Sequence, residues 1–221
     1  MNLEGQSLSR ADIAKLAGQP VTLHDCSLEG ADLSRLDLAG WAFERCDLRT
    51  AKFSGARLEG ASFRSCRGAA SDFGAADVAD AVFVSCDFNN ASFWRSGLVS
   101  ASFTGCKLTG VDFSEARQFN IAFEETLLIN ARMPSFSFHK MVLRRVDLGQ
   151  ADLRKCDFRA VVFEECSLRE ANLTDSRFEG ADLRGADLGG LRLMDAKPFR
   201  GATISREQAG LLLGELGLVV R

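Results

Sequence analysis

The most reactive side chains in this sequence are its seven cysteines, and they are periodic. Cys26, Cys46, Cys66, Cys86 and Cys106 stand twenty residues apart, Cys166 continues the series, and Cys156 lies outside it. Such a ladder suggests a metal site or a run of disulfides. Metal sites need converging ligands, commonly CxxC pairs with histidine. No CxxC occurs here, and the two histidines, His24 and His139, are far apart. If residues twenty apart stack on neighbouring turns, their Cβ atoms lie about 4.8 Å apart. That exceeds the roughly 3.5–4.5 Å usual across a disulfide, and an odd count leaves one thiol over. The favoured reading is compact, buried, free thiols, with no metal and no cofactor. The aspartates also recur at one point of a pattern, as a solvated polar face would, rather than as catalytic carboxylates. No GxxxxGK[ST], GxSxG, HExxH or GxGxxG is present. The expectation is a protein that is not an enzyme.

The pattern beneath these residues has a period of five. In the stretch CSLEGADLSRLDLAGWAFERCDL, Leu28, Leu33, Leu38, Phe43 and Leu48 are five apart, which suits neither a 3.6-residue helix nor a 2-residue strand. From position 3 to position 193 this column is apolar at nearly every step, and Gly18, Gly68 and Gln118 break it. Two residues before each central position runs a smaller column of Ala and Cys, and between the two stands a polar residue, often Asp. Apolar, polar, apolar and two turn-forming residues describe a short strand followed by a turn.

The tandem Ala31-Asp32-Leu33, Ala151-Asp152-Leu153, Ala171-Asn172-Leu173 and Ala181-Asp182-Leu183 resemble the A(D/N)LXX units of the pentapeptide repeat family over about residues 21–196. The resemblance implies an all-β solenoid, a right-handed quadrilateral β-helix with four pentapeptides to a coil, whose central and small residues point inward. Residues twenty apart should then stack. Phe43, Phe63, Phe83, Phe103 and Phe123 fall in one such column, and Phe53, Phe73, Phe93 and Phe113 in another. Residues 21–196 allow nearly nine coils, roughly 43 Å at the spacing of neighbouring strands. The expected organisation is an N-terminal cap or partial first coil over 1–20, the β-helix over 21–200, and a C-terminal helix over 201–221.

Uniformity fails in three places. In CRGAASDFGAADVAD (66–80), Gly68 replaces a core residue and Asp72, Asp77 and Asp80 gather with no base after Arg67; a thinner, dented coil is the favoured reading. Over 117–142, Ile121, Thr126, Phe136 and Met141 occupy the small inward position, while Phe119, Leu127 and Ile129 stand at outward ones. Either the coil repacks inside, which is favoured, or an apolar patch is exposed. Trp94, outward in its repeat, is a candidate anchor for a partner.

The third place is ISREQAGLLLGELGLVVR. Ser205 and Gln208 have the form of a capping box, Ala209, Leu212, Leu213 and Leu216 follow at helical spacing, and Gly217 supplies a stop. A short α-helix should cap the open end of the coils, and its surplus of apolar residues suggests that it also dimerises. With the preceding GATIS, this ending resembles the C-terminal helix of Qnr-type pentapeptide repeat proteins. Those bacterial proteins dimerise through that helix and protect DNA gyrase and topoisomerase IV from quinolones or related poisons. The resemblance implies dimerisation by Phe199, Leu212, Leu213 and Leu216 and a type II topoisomerase as partner. The projecting loops of many Qnr proteins have no counterpart here, because the period of five runs without insertion.

Charge refines that picture. The chain carries a formal −3, with 46% hydrophobic and 26% charged residues, so it reads as globular, with no strong pull toward nucleic acid or membrane. No run reaches the roughly 18 apolar residues of a membrane span, and the N-terminus does not read as a signal peptide. A cytoplasmic protein that does not bind nucleic acid directly is expected. Proteins of this type have been proposed to imitate DNA, and a duplex 43 Å long carries roughly 25 phosphates. Residues 21–115 hold 13 acids against 9 bases, and 116–200 hold 13 against 14. Any mimicry is therefore local, around Asp72, Asp77, Asp80, Asp87, Asp112 and Glu115, with a basic section at Arg144, Arg145, Arg154, Lys155 and Arg159. A scaffold for some other protein partner is the alternative.

Overall fold

Hydrogen bonds between residues about twenty apart build the protein. The computed structural model describes residues 1–191 and 197–220, so Leu193, at the end of the apolar column, lies outside the described residues. The chain forms two compact units, Met1–Leu127 and Leu128–Arg221, and the division falls within the irregular 117–142 stretch.

In the first unit, β1 (Asn2–Glu4), β2 (Thr22–His24), β3 (Ala42–Glu44), β4 (Ser62–Arg64), β5 (Val82–Val84), β6 (Ser102–Thr104) and β7 (Ala122–Glu124) pair in parallel, each shifted by twenty residues. They form the first face of a four-sided coil. Three further columns of parallel bridges mark the other faces. One runs Ser27, Asp47, Arg67, Asp87, Lys107; the next Asp32, Lys52, Asp72, Ser92, Asp112; the last Asp37, Arg57, Asp77, Gly97, Arg117. One pentapeptide makes one face. The ladder alternates direction: Leu28 N–H donates to the Asp47 carbonyl and Asp47 N–H to the Cys26 carbonyl.

Each face ends in a tight corner. All non-glycine residues with positive φ, from Asp25 to Asp175, fall on multiples of five. Left-handed backbone costs an L-residue about 1–2 kcal/mol, so these corners persist because ladder bonds on both sides fix them. At Arg95, for example, the corner N–H donates to the Ser114 carbonyl one coil on.

The interior consists of stacked side chains. Phe43, Phe63, Phe83 and Phe103 stack at 4.7, 4.6 and 4.6 Å, and Phe53, Phe73 and Phe93 at 4.7 and 4.6 Å. The two columns meet edge to face, the arrangement favoured by ring quadrupoles. All seven cysteines are free and buried. Their thiols donate to carbonyls, as Cys46 Sγ does to Leu23 and Glu44, both at 3.4 Å. Thr126 continues the column with the same pair of bonds, to Phe103 and Glu124. In this column the small inward side chain is therefore both compact and a hydrogen-bond donor, whereas alanine fills the same position on other faces.

Two sequence expectations change here. The dent at Gly68 is filled, because the ring of Phe88 from the next coil lies where a Gly68 side chain would stand. Residues 1–20 are both a partial coil and a cap: β1 and Leu8 join the ladder, and then α1 (Arg10–Ala14) replaces a face and buries Ile13. Ser9 N–H donates to the Asp12 carboxylate at 3.1 Å, a helix-start signal that is visible in the sequence.

In the second unit, β8 (Val142–Arg144) pairs with β9 (Val162–Glu164), and β10 (Cys166–Ser167) with β11 (Ala186–Asp187). A third ring column runs Phe138, Phe158, Phe178, Phe199 at 4.8, 4.9 and 4.8 Å. Beyond it, α2 (Arg206–Glu215) is capped by Ser205, whose hydroxyl accepts the Gln208 N–H, and ends at Gly217 with φ +80°. The fold is a pentapeptide-repeat β-helix, a parallel solenoid with a short C-terminal helix.

In the 117–142 stretch, Ile121, Thr126 and Phe136 are buried, as internal repacking requires, and Met141 is half-buried. Phe119 and Leu127 are exposed as well. Both readings of that stretch are therefore realised, at different residues.

Candidate partner-binding surface

The aspartates close the turns of their own repeats. Asp72, Asp77, Asp87 and Asp112 each accept the N–H two residues on, at 2.8, 3.2, 3.2 and 2.8 Å. Such short-range bonds to backbone are the usual use of aspartate in turns. A solvated face is thus only half their role; the other half is local structure.

Columns also mix signs. Asp47, Arg67, Asp87 and Lys107 alternate on the second face, and Asp37, Arg57 and Asp77 on the fourth. Pairs one coil apart follow, such as Arg45 with Asp25 at 2.6 Å and Arg57 with Asp37 at 3.0 Å. Exposed pairs of this kind contribute little individually, on the order of 0–1 kcal/mol. In the second unit Arg144 meets Glu164, Arg154 meets Asp152, and Arg159 meets Asp157, at 2.6, 2.7 and 2.7 Å. The basic section read from the sequence is thus largely balanced by its own acids. Asp157 is held down at about 2, chiefly by its hydrogen bonds from Arg159, with Arg177 adding to the effect.

The candidate residues occupy different sides. Asp87 stands on the second face, Asp72 and Asp112 on the third, and Asp77 on the fourth, opposite Asp87. Asp80 sits at the corner after the fourth face, while Trp94 and Glu115 sit at the corner between the third and fourth. The structure therefore brings Asp77, Asp80, Trp94 and Glu115 around one face and places Asp87 away from them.

Around that face lies a surface cluster that combines an exposed ring with an ion pair. The Arg95 guanidinium lies over the Trp94 ring, 4.2 Å from its centroid, and its Nε–H donates to Glu115 at 2.7 Å. The hydrogen bond from Arg95, together with one from Trp94, keeps the Glu115 carboxyl below its ordinary range. Trp94, 41% exposed, is held in place by this arrangement. Val99 and Phe119, the latter 73% exposed, stand one coil apart at the other edge of the same face. Val99 was not singled out from the sequence, although an outward valine twenty residues before an outward phenylalanine is a readable signal.

At the C-terminal end, the four residues assigned to dimerisation separate. Leu212 is buried against the last coil, at 7% exposure, and Phe199 extends the internal ring column from Phe178. Gln208 is buried beside Leu212, and its Nε2 donates to the carbonyls of Leu183 and Ala186, both at 2.7 Å. These three residues serve the cap. Leu213 and Leu216 are exposed with Leu211, Leu218, Val219 and Val220. A groove of about 410 Å³ runs beside α2, with Arg184, Leu188, Gly189, Leu211, Leu212 and Glu215 among its lining.

Among the described residues no group of three His, Cys, Asp or Glu side chains is placed to hold a metal, and no helix is long and apolar enough to cross a membrane. Burial pushes the Cys156 thiol up to about 12 and raises those of Cys26 and Cys166.

No curated protein sequence matches the chain. Solved structures share its fold. Full-length QnrB1, a plasmid-mediated fluoroquinolone resistance protein, aligns over 98% of this chain and 97% of its own, with a TM-score of 0.56 and 22% identity. HetL, a pentapeptide repeat protein involved in heterocyst differentiation regulation in the cyanobacterium Nostoc, aligns over 91% and 86%, with a TM-score of 0.64 and 19% identity. Residues 56–133 match the family described as pentapeptide repeat region, and 26–67, 123–159 and 160–197 that described as pentapeptide repeats (8 copies). With a ladder that repeats every twenty residues and a family match across most of its length, this chain belongs to the pentapeptide repeat family.

Proposed function

We propose that this protein is a non-catalytic partner of a type II topoisomerase, gyrase or topoisomerase IV, and protects it from an inhibitor. The reading is carried by α2, a helix anchored on the last coil by Gln208 and Leu212 that leaves Leu211, Leu213 and Leu216 exposed. A cap needs only its buried side, so the exposed leucines support a twofold dimer, as the Qnr-type resemblance implies. The fold shared with QnrB1 over nearly the full length is consistent with it. The protein acts in the cytoplasm by surface recognition rather than by chemistry. Any imitation of DNA is confined to the acids of the first unit, since the basic section of the second is balanced.

Supercoiling by purified gyrase, titrated with this protein with and without a quinolone or albicidin, tests the proposal. Rescue from the poison, or inhibition in its absence, is expected. No effect in either arm, with a folded protein, rejects it. The fold shared with HetL, a protein of differentiation control, favours one second reading, a scaffold for another protein partner.

A further inference from the structure

We infer that the fourth face of the first unit, with Trp94 at its edge, is the surface that docks on the partner, and that it fits a protein surface bearing apolar and basic side chains. The inference deepens the topoisomerase reading and rests on it.

Shape is the first argument. Trp94 and Val99 flank the face and Phe119 follows Val99 one coil on, while Gly97 between them is buried, with the Asp77 carboxylate and the Arg117 guanidinium beside it. Scattered exposed apolar residues are ordinary, but here three share one face. Trp94 is also immobilised in advance. Arg95 covers one side of its ring, and Arg95 is itself held by Glu115. Tryptophan and arginine are the residue types most enriched at binding hot spots, and a ring fixed before binding loses less entropy on docking.

Charge is the second argument, and it selects the partner. Around the fourth face itself Asp77, Asp80 and Glu115 stand against Arg95 and Arg117, and residues 71–120, over all four faces, hold six acids (Asp72, Asp77, Asp80, Asp87, Asp112, Glu115) against three bases (Arg95, Lys107, Arg117), a net −3. That equals the formal charge of the whole chain, so the remaining residues balance at 24 acids against 24 bases. A nucleic acid is repelled by this region, whereas a basic protein surface is attracted to it. An exposed indole beside carboxylates that share the face with arginines suits a protein contact better than it suits whole-rod imitation of phosphates.

The test is binding of immobilised purified gyrase to wild type, Trp94→Ala, Asp77→Asn/Asp80→Asn and Asp87→Asn, with folding checked by circular dichroism. Trp94→Ala is expected to weaken binding at least tenfold. The Asp77→Asn/Asp80→Asn pair should weaken it several-fold and flatten its dependence on salt, while Asp87→Asn, on the opposite face, should stay within about twofold. Wild-type affinity retained by a folded Trp94→Ala overturns this inference and leaves the topoisomerase reading standing. Binding of wild type to a DNA duplex that is lost in Trp94→Ala also overturns it, by assigning the face to nucleic acid. No binding of gyrase by the wild type overturns both.

Discussion

The ring of Phe88 occupies the space that a side chain on Gly68 would need. The two residues stand twenty apart in a column otherwise occupied in this unit by Leu8, Leu28, Leu48 and Leu108. A missing side chain in one coil is thus filled by an oversized one in the next.

This pairing predicts strong coupling. Gly68→Leu alone forces overpacking and should cost at least about 1–3 kcal/mol, and Phe88→Leu alone leaves a void and should cost a comparable amount. The double variant restores two stacked leucines and should recover most of the loss. Urea denaturation of the three variants checks this. Additive losses would mean that the two side chains do not share one space.

The cap and the exposed leucines should separate in their effects. Gln208→Ala strips the side-chain donor from the Ala186 carbonyl and leaves the Leu183 carbonyl with the Ala186 N–H alone, at about 1–3 kcal/mol for a buried group left unsatisfied, and Leu212→Ala empties a packed site. Both should speed hydrogen exchange of α2 amides. Leu213→Ala and Leu216→Ala should leave that exchange unchanged and instead shift the molecular mass measured by light scattering toward the monomer.

The thiols should be inert in the folded state. Buried cysteines that donate to carbonyls, with Cys156 raised to about 12, expose no thiolate to attack at neutral pH. Ellman's reagent should find none of the seven in native protein and all seven in guanidinium. Fast reaction of one thiol without unfolding would show that a coil opens locally.

Acid should weaken the second unit through Asp157. Its folded pKa of about 2 lies below that of an unfolded aspartate, near 3.9. Its contribution is therefore fully present above about pH 4 and is lost as the pH falls toward 2. Asp157→Asn should cost at most about 2 kcal/mol at pH 7, only a small part of that near pH 2, and nothing near pH 1. The check is thermal unfolding of both proteins across that window.

The coil was legible because its core consists of residue types repeated at a fixed interval; once the family resemblance supplies a coil of four pentapeptides, Phe43, Phe63 and Phe83 announce their stacking. The capping box at Ser205 and Gln208 was equally plain. Other features depend on what lies next to what. The filling of Gly68 emerges only once Phe88 is set above it. The burial of Leu212 rather than Leu213 depends on how α2 meets the Leu183 and Ala186 carbonyls, which helical spacing does not encode. The short α1 was missed because five residues carry too little periodicity, although Ser9 and Asp12 marked its start. The acids were identified by type but not by side; counting by twenty would have placed Asp87 opposite Asp77.

Since one pentapeptide spans one face, the molecule has an angular arithmetic. Within the first unit, deleting five residues ahead of Trp94 would turn the coils that follow through one corner, carrying that tryptophan to a neighbouring side while leaving the apolar column intact. Deleting twenty would shorten the stack and keep every side in place. A lineage of such chains can therefore change length in steps of one coil and hold a partner's orientation, or change it in steps of one repeat and present a new side.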